Sequence, residues 1–347
     1  MTHQEKTSQI RKEILESYKA LKLKYPVLKH QNTIGLLIFS ISVGISFIMG
    51  YLWYVDILPA WSLIVVNAFL FGLLHELEHD LIHDLYFKHN RLVHSFMLFV
   101  IWLLRPLTLN PWFRRILHLH HHRFSGTLHD VEERGVTNGE KWSLKRLLFT
   151  PDLALGNLFR VHGLFADIKR EVDNGNLKFE TAHKLKLSGF LGLIPLTIAA
   201  HIVLYLYGAN MFLVFLDSRF ALGYTFPDWV KSSLSWLDPI IFIVLLPNLL
   251  RQFCLHFITS NLHYFGDVEK GNVMEQTQIL TVWWTFPFQL FCFFFGWTHG
   301  IHHFVVNESF YVRHIARKKA HVILKKYGVR FNDLGTFRRA NRYNEAV

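Results

Sequence analysis

Residues 34–55 form an apolar run without a single charged side chain, and no other feature restricts the possible folds so severely. A helix that crosses a bilayer needs about 20 consecutive apolar residues. Within lipid, its backbone polar groups must be satisfied inside the segment itself. The run therefore predicts a transmembrane helix. Further runs at 60–74, 187–207 and 239–258 repeat the pattern, and the second is expected to continue as helix through the polar stretch His75–His83. Composition agrees: hydrophobic residues make up 51% of the chain and Phe alone numbers 32, against 18% charged. The expected class is an all-α membrane protein with about four transmembrane helices and a cytosolic helical cap. Residues 92–109 are interrupted by Arg105 and Pro106, and residues 279–297 by Pro287. Both are read as interfacial or re-entrant helices rather than crossings.

The formal charge of +11 gathers at the ends, in Lys6, Arg11, Lys12, Lys19, Lys22, Lys24 and Lys29 and again from Arg313 to Arg342. Basic flanks on apolar segments point to positive-inside topology. They point away from nucleic acid, for which no motif accompanies them. The 209–238 connection sets Arg219 and Lys231 against Asp217, Asp228 and Asp238 and is expected to lie outside. Both termini and every histidine cluster then face the cytosol of a multi-pass protein, with a bacterial inner membrane expected rather than the endoplasmic reticulum. Residues 4–25 place Ile10, Ile14, Leu15, Tyr18 and Leu21 at helical spacing, which predicts an amphipathic helix on the membrane surface. Three parts are expected: a cytosolic N-terminal segment 1–33, a membrane domain 34–315, and a basic cytosolic tail 316–347. No cleavable signal peptide is expected behind so charged a leader. Cys254 and Cys292 sit in apolar runs and read as buried hydrophobes, leaving no disulfide framework and no Cys-based metal site.

Three histidine clusters carry the chemistry: His75-Glu-Leu-Glu-His79, His118-Leu-His-His121-His122 and His299-Gly-Ile-His302-His303. On a helix, positions i and i+3 or i+4 share a face with Cβ atoms about 5–6 Å apart, so each cluster can aim two or three imidazoles at one point. Imidazole suits iron, zinc, copper and nickel. Histidine is costly to place in a membrane without partners, and the number of box histidines exceeds what one ion can use. Two metals are expected.

At this point the residues resemble the membrane fatty acid desaturase and hydroxylase superfamily, whose patterns HxxxH, HxxHH and HxxHH occur in this order. His121-His122-Arg-Phe-Ser125 followed by Asp130 looks like its second box with a trailing acidic residue. Asn261-Leu-His263-Tyr-Phe-Gly266 resembles the segment that supplies one more histidine. The resemblance implies that His75, His79, His118, His121, His122, His263, His299, His302 and His303 bind two iron ions. His83, His120, His256 and Asn261 are read as standing behind these ligands. Glu76, Glu78, Asp80, Asp130 and Asp267 are close enough in sequence to offset the charge of two cations.

The resemblance further implies a fatty acyl desaturase that uses O₂ and electrons from an external donor, because an alkyl C–H has no usable acidity. The acyl group can be a free acid, an acyl-CoA, an acyl carrier protein thioester or a lipid ester. A hydroxylase or a terminal-alkene-forming decarboxylase would carry the same boxes. The tract Asp130-Val-Glu-Glu-Arg134-Gly-Val-Thr-Asn138-Gly is read as serving a free carboxylate or a donor protein. Trp283, Trp284, Phe286, Phe288, Phe291 and Trp297 form either an aromatic belt or the wall of an acyl tunnel. No haem-binding module is read in the chain, so a ferredoxin or cytochrome b5 type carrier is expected to dock on the basic face near Arg313–Lys326. A reading of another class, an intramembrane zinc metalloprotease on His75-Glu76-x-x-His79, accounts for one box and leaves six box histidines without a role. Paired Glu-x-x-His motifs of a soluble-type bundle, Glu76 to His79 and Glu180 to His183, likewise waste the HxxHH boxes.

Overall fold

The computed structural model describes residues 1–135, 139–144, 146, 152–178, 180–181, 183, 196–223 and 227–344, without the side chains of 153, 154, 157–162, 164, 165, 230 and 231. Among them there is no β-strand, only three isolated bridges. Four helical stretches are long and apolar enough to cross a membrane: α2 (Gln31–Tyr54), α3 (Ala60–Ile82), the helix Leu196–Phe220, and the 31-residue stretch Ser232–Leu262. The exposed side chains of α2, among them Phe47, Ile48 and Tyr51, are those a lipid-facing helix requires. By contrast α4 (Arg91–Leu104) has 14 residues and spans about 21 Å at 1.5 Å per residue, short of a hydrocarbon core of about 30 Å. The 279–297 run breaks into α11 (Phe286–Phe291) and the start of α12 (Phe295–Phe304), so it does not cross either.

Two expectations change in detail. The third span was expected at 187–207; residues 187–195 lie outside the described residues, and the helix α8 (Leu196–Phe220) continues beyond 207. The stretch Met211–Leu216 is apolar enough to prolong the span, so much of the expected 209–238 connection is helix. The second change concerns α1 (His3–Lys24), whose stripe of Ile10, Ile14 and Tyr18 is buried against α13 (Phe310–Lys326) rather than laid on lipid. A helical stripe alone does not say whether lipid or protein covers it.

The fourth span is a composite of α9 (Asp228–Ile240), a π-helical turn Ile241–Leu245, and α10 (Leu246–Leu262). Pro239 and Pro247 explain the widened turn, because each removes a backbone donor. Pro247 has no N–H for the carbonyl of Ile243, and Asn67 Nδ2 on α3 donates to that oxygen at 3.0 Å. This contact locks α10 against α3 and fixes the height at which α10 releases the chain into His263.

The link from α11 to α12 is equally constrained. Phe293 and Phe294 both take positive φ, 48° and 56°, a conformation that costs a bulky residue on the order of 1–3 kcal/mol. The turn packs against Gly72 of α3, where a Cβ would overlap the carbonyl oxygen of Phe291. Close approach of this turn to α3 is what brings the third histidine box down onto the first.

Candidate metal centre

Nine histidines converge in two adjoining groups. The first holds His79, His83, His118, His122 and His302; the second holds His121, His263, His299 and His303, with the donor atoms of each group within 4.8 Å of one another. They come from the end of α3, from α5 (Pro111–Phe124), from the residue after α10, and from α12. Adjacent residues in the second and third boxes point into different groups, His121 beside His122 and His302 beside His303. That alternation is what sets two sites side by side.

The first group has the shape of a metal site. Nε2 atoms of His83, His118, His122 and His302 form a closed ring, each 3.1 Å from its two neighbours. If the ring is square, its centre lies about 2.2 Å from each nitrogen, the edge divided by √2, close to the roughly 2.0–2.1 Å of a zinc–imidazole bond. Each of these nitrogens in a neutral ring is either a donor with one proton or an acceptor, so the four contacts cannot all be hydrogen bonds. His79 stands beside the ring, 4.4 Å from His302 and 4.7 Å from His118 between ring centroids. Both its nitrogens are buried without a hydrogen-bond partner among the described residues. In the second group Nε2 of His299 lies 3.1 Å from His263 and 3.2 Å from His303, which in turn is 3.4 Å from His121. Buried, all-imidazole donor sets of this kind fit first-row transition metals and not calcium or magnesium.

Two outer nitrogens are hydrogen-bonded to carboxylates, a pattern that metal-bound imidazoles favour. His121 Nδ1 donates to Asp130 at 2.8 Å and His118 Nδ1 to Glu132 at 2.9 Å. His263 Nδ1 lies 3.2 Å from Glu133, and His303 Nδ1 meets Gln276 Oε1 at 3.2 Å. The short helix Val131–Gly135 delivers both glutamates. His302 differs, since its Nδ1 faces a cation, Arg313 Nη1 at 3.0 Å, and not a carboxylate.

The structure moves the first box by one helical turn. His83, expected behind the ligands, is in the first group, and His75, expected as a ligand, is in neither. His75 Nδ1 instead faces Arg105 Nη2 at 3.0 Å and Arg114 Nη1 at 3.3 Å. The sequence holds two overlapping HxxxH pairs, 75–79 and 79–83, and spacing alone cannot choose between them. Their order along α3 decides: only the later pair lies at the helix end, where α5 and α12 arrive. Both rings of the HExxH pattern would have to share one ion for a zinc protease, and among the described residues His75 and His79 fall in no common group.

The expected carboxylates divide. Asp130 orients His121, but Asp267 accepts from the backbone N–H groups of Tyr343 and Asn344 at 2.8 Å and serves the C-terminal segment. Asp80 accepts from Arg313 at 3.0 Å, from Tyr86 at 3.2 Å and from the Phe310 N–H at 2.7 Å, and Glu76 lies 3.8 Å from Arg313. Glu78 is salt-bridged to Arg105 and Arg114. Asn261 is structural: its side chain donates to the Phe257 carbonyl and accepts from Thr336. His120 stacks on Phe124 and His256 is buried, both outside the two groups. In the Asp130–Gly139 tract, the acidic residues turn to imidazoles and Arg134 pairs with Glu140 at 3.4 Å; Asn138 lies outside the described residues. Of the expected aromatic residues, Trp283 is exposed and Phe288 stacks on Phe257. The ring that covers the site is Phe295, 4.1 Å from His299 and hidden in the apolar run.

The titration of these rings is shaped by burial. Burial first, and then the neighbouring rings, hold His118, His122, His263, His299, His302 and His303 well below the usual imidazole range, and burial with Arg313 takes His83 to about 3. His121 goes the other way. Burial opposes its charge, yet the Asp130 carboxylate lifts it to about 10. Rings with depressed folded values gain protons on unfolding below about pH 6.5. The metal-free protein should therefore lose stability as pH falls through that value, while the His121 contribution, intact below it, fades as pH rises toward 10. A metal entering the second group must displace the His121 proton. Its affinity should fall about tenfold for each unit of pH lost in that window, with about one proton released per ion. Titration calorimetry in two buffers of different ionisation heat measures this, and an absence of proton release would contradict it.

Residues 56–335 match the family model described as fatty acid desaturase. The chain belongs to the fatty acid desaturase family. A search of curated proteins finds no match. Membership makes this chain a membrane oxidoreductase of lipid metabolism with histidine clusters suited to metal.

Proposed function

We propose that the protein is a fatty acyl desaturase that uses O₂ and an external electron donor at a histidine-held di-iron centre. The observation that carries this reading is the pair of adjoining histidine groups, five and four rings, inside a chain of this family. His79, His83, His118, His122 and His302 would hold one iron; His121, His263, His299 and His303 would hold the other. Two irons there would supply the redox chemistry that takes hydrogen from an unactivated methylene. The chain's own residues perform the remaining tasks. Asp130 and Glu132 fix the orientations of His121 and His118, and Glu133 beside His263 helps to offset positive charge. Phe295 covers the rings and excludes water. Arg313, joined to Asp80 and to the Glu308 carbonyl, holds α13 against the end of α3.

The supports for topology are the basic ends and the contact of Arg11 Nε with the Phe304 carbonyl at 3.0 Å, which puts the N-terminal helix on the histidine side. We infer that both termini are cytosolic. A donor protein would meet the exposed Lys318, Lys319, Lys325 and Lys326 rather than Arg313, which is buried.

Mass spectrometry of lipids from cells expressing the protein, against His302→Ala, tests the reaction. A product lighter by about two mass units, the two hydrogens lost on desaturation, is expected only with the unaltered chain. A hydroxylated product or a volatile alkene would redirect the assignment to the sister reactions. Identical lipid profiles would refute it.

A further inference from the structure

Beside the histidine groups lies a second buried cluster, which the metal sites do not use. Arg105, Arg114 and Arg251 approach one another between α3, α4, α5 and α10, with Arg105 and Arg251 at most 1% exposed. Glu78 answers two of them, bonding Arg105 and accepting from Arg114 Nη1 at 2.8 Å. Arg251 receives nothing comparable. Its Nε, Nη1 and Nη2 are all buried and have no hydrogen-bond partner among the described residues, and Arg105 Nε and His75 Nε2 share that condition. Glu76 and Glu132 also lie within electrostatic reach of Arg114. Among the described residues, the only carboxylate within reach of Arg251 is Glu78, which Arg105 and Arg114 already bond, so its charge is left in excess in the interior. A buried cation without a partner is strongly unfavourable, and a guanidinium fork is shaped to take two oxygens of one anion.

The cluster's position adds a second constraint. His75 precedes His79 by four residues on α3, and Arg114 precedes His118 by four on α5. Each is therefore one helical turn, about 5–6 Å between Cβ atoms, from a member of the first histidine group. Bulk matters too. Arg105 and Arg251 are enclosed between the apolar helices α3, α4 and α10, so a head group that reaches them must be small and arrive with an apolar chain.

We propose that Arg251, together with Arg105 and Arg114, binds the carboxylate of an unesterified fatty acid, so that this chain acts on free acids. Coenzyme A thioesters and glycerolipids lack the carboxylate and carry head groups too large for an enclosed fork. The carbons next to the carboxyl group are then the ones nearest the two histidine groups. This rests on the acyl-oxidation reading above and names its substrate class.

Binding to the full-length protein in nanodiscs decides the matter, with palmitate and methyl palmitate competing against a fluorescent fatty acid. Palmitate should bind at least tenfold tighter than its ester. Arg251→Gln should abolish that preference, and Arg251→Lys should retain part of it. In the absence of ligand, Arg251→Gln should also melt higher than the unaltered chain, since it removes an uncompensated buried charge; a merely structural arginine would lower the melting temperature. Equal binding of acid and ester by the unaltered chain, a comparison that needs no variant, would overturn the proposal, as would a preference that survives Arg251→Gln. Turnover separates the two levels of inference. Oxidation of palmitoyl-CoA but not palmitate would sink the carboxylate site and leave the oxidase reading standing. Tight acid binding with no oxidation of any acyl substrate would do the reverse.

Discussion

His83→Ala should reduce bound iron from two ions to about one and lower turnover by roughly a hundredfold or more, whereas His75→Ala should keep both ions. The argument is geometric. Nε2 of His83 closes the ring with His118 and His302 at 3.1 Å to each, so its loss opens the first group directly. Residues that only orient ligands cost about 10–100-fold when removed, which sets a floor for a ligand itself. His75 belongs to the arginine cluster, and its substitution should alter binding of an acid substrate while leaving the metal content intact. Iron measured by mass spectrometry on purified variants distinguishes the two. Loss of iron from His75→Ala with retention in His83→Ala would restore the earlier register and dismantle the ring as a metal site.

That pair of variants also marks how far the sequence could be read. Helix type, the four spans and the convergence of the three boxes were legible because apolar run length and i, i+4 spacing are local properties. The choice between His75–His79 and His79–His83 was not, since it depends on where α5 and α12 meet α3, and that is set by the Phe293–Phe294 turn against Gly72. Glu132 and Glu133 were visible only as a charged tract; a helix of five residues gives almost no periodic signal to show which way its side chains turn. The fate of the α1 stripe depended in the same way on a partner about 300 residues distant in sequence. Long-range partners were the missing information throughout, not local conformation.

Arg313→Ala is expected to be the most damaging single change to the fold, at about 3–5 kcal/mol. Arg313 is 1% exposed and meets four groups of the site at once: Asp80 at 3.0 Å, Glu76 at 3.8 Å, the Glu308 carbonyl at 2.7 Å and His302 Nδ1 at 3.0 Å. Removing it leaves two carboxylates in the interior without their cation, and Asp80 is the residue next to His79. Stabilities of folded proteins are on the order of 5–15 kcal/mol, so the variant should lose a large part of its margin. Arg313→Lys should recover only part of that loss, because an ammonium cannot span Asp80 and His302 with a planar fork. Asp80→Asn combined with Arg313→Ala should be less harmful than the sum of the separate changes, since one of the stranded charges is removed with its partner. Thermal melts of Arg313→Ala, Arg313→Lys, Asp80→Asn and the double variant in the same detergent would show this, and strict additivity would mean that Arg313 stabilises the site by packing alone.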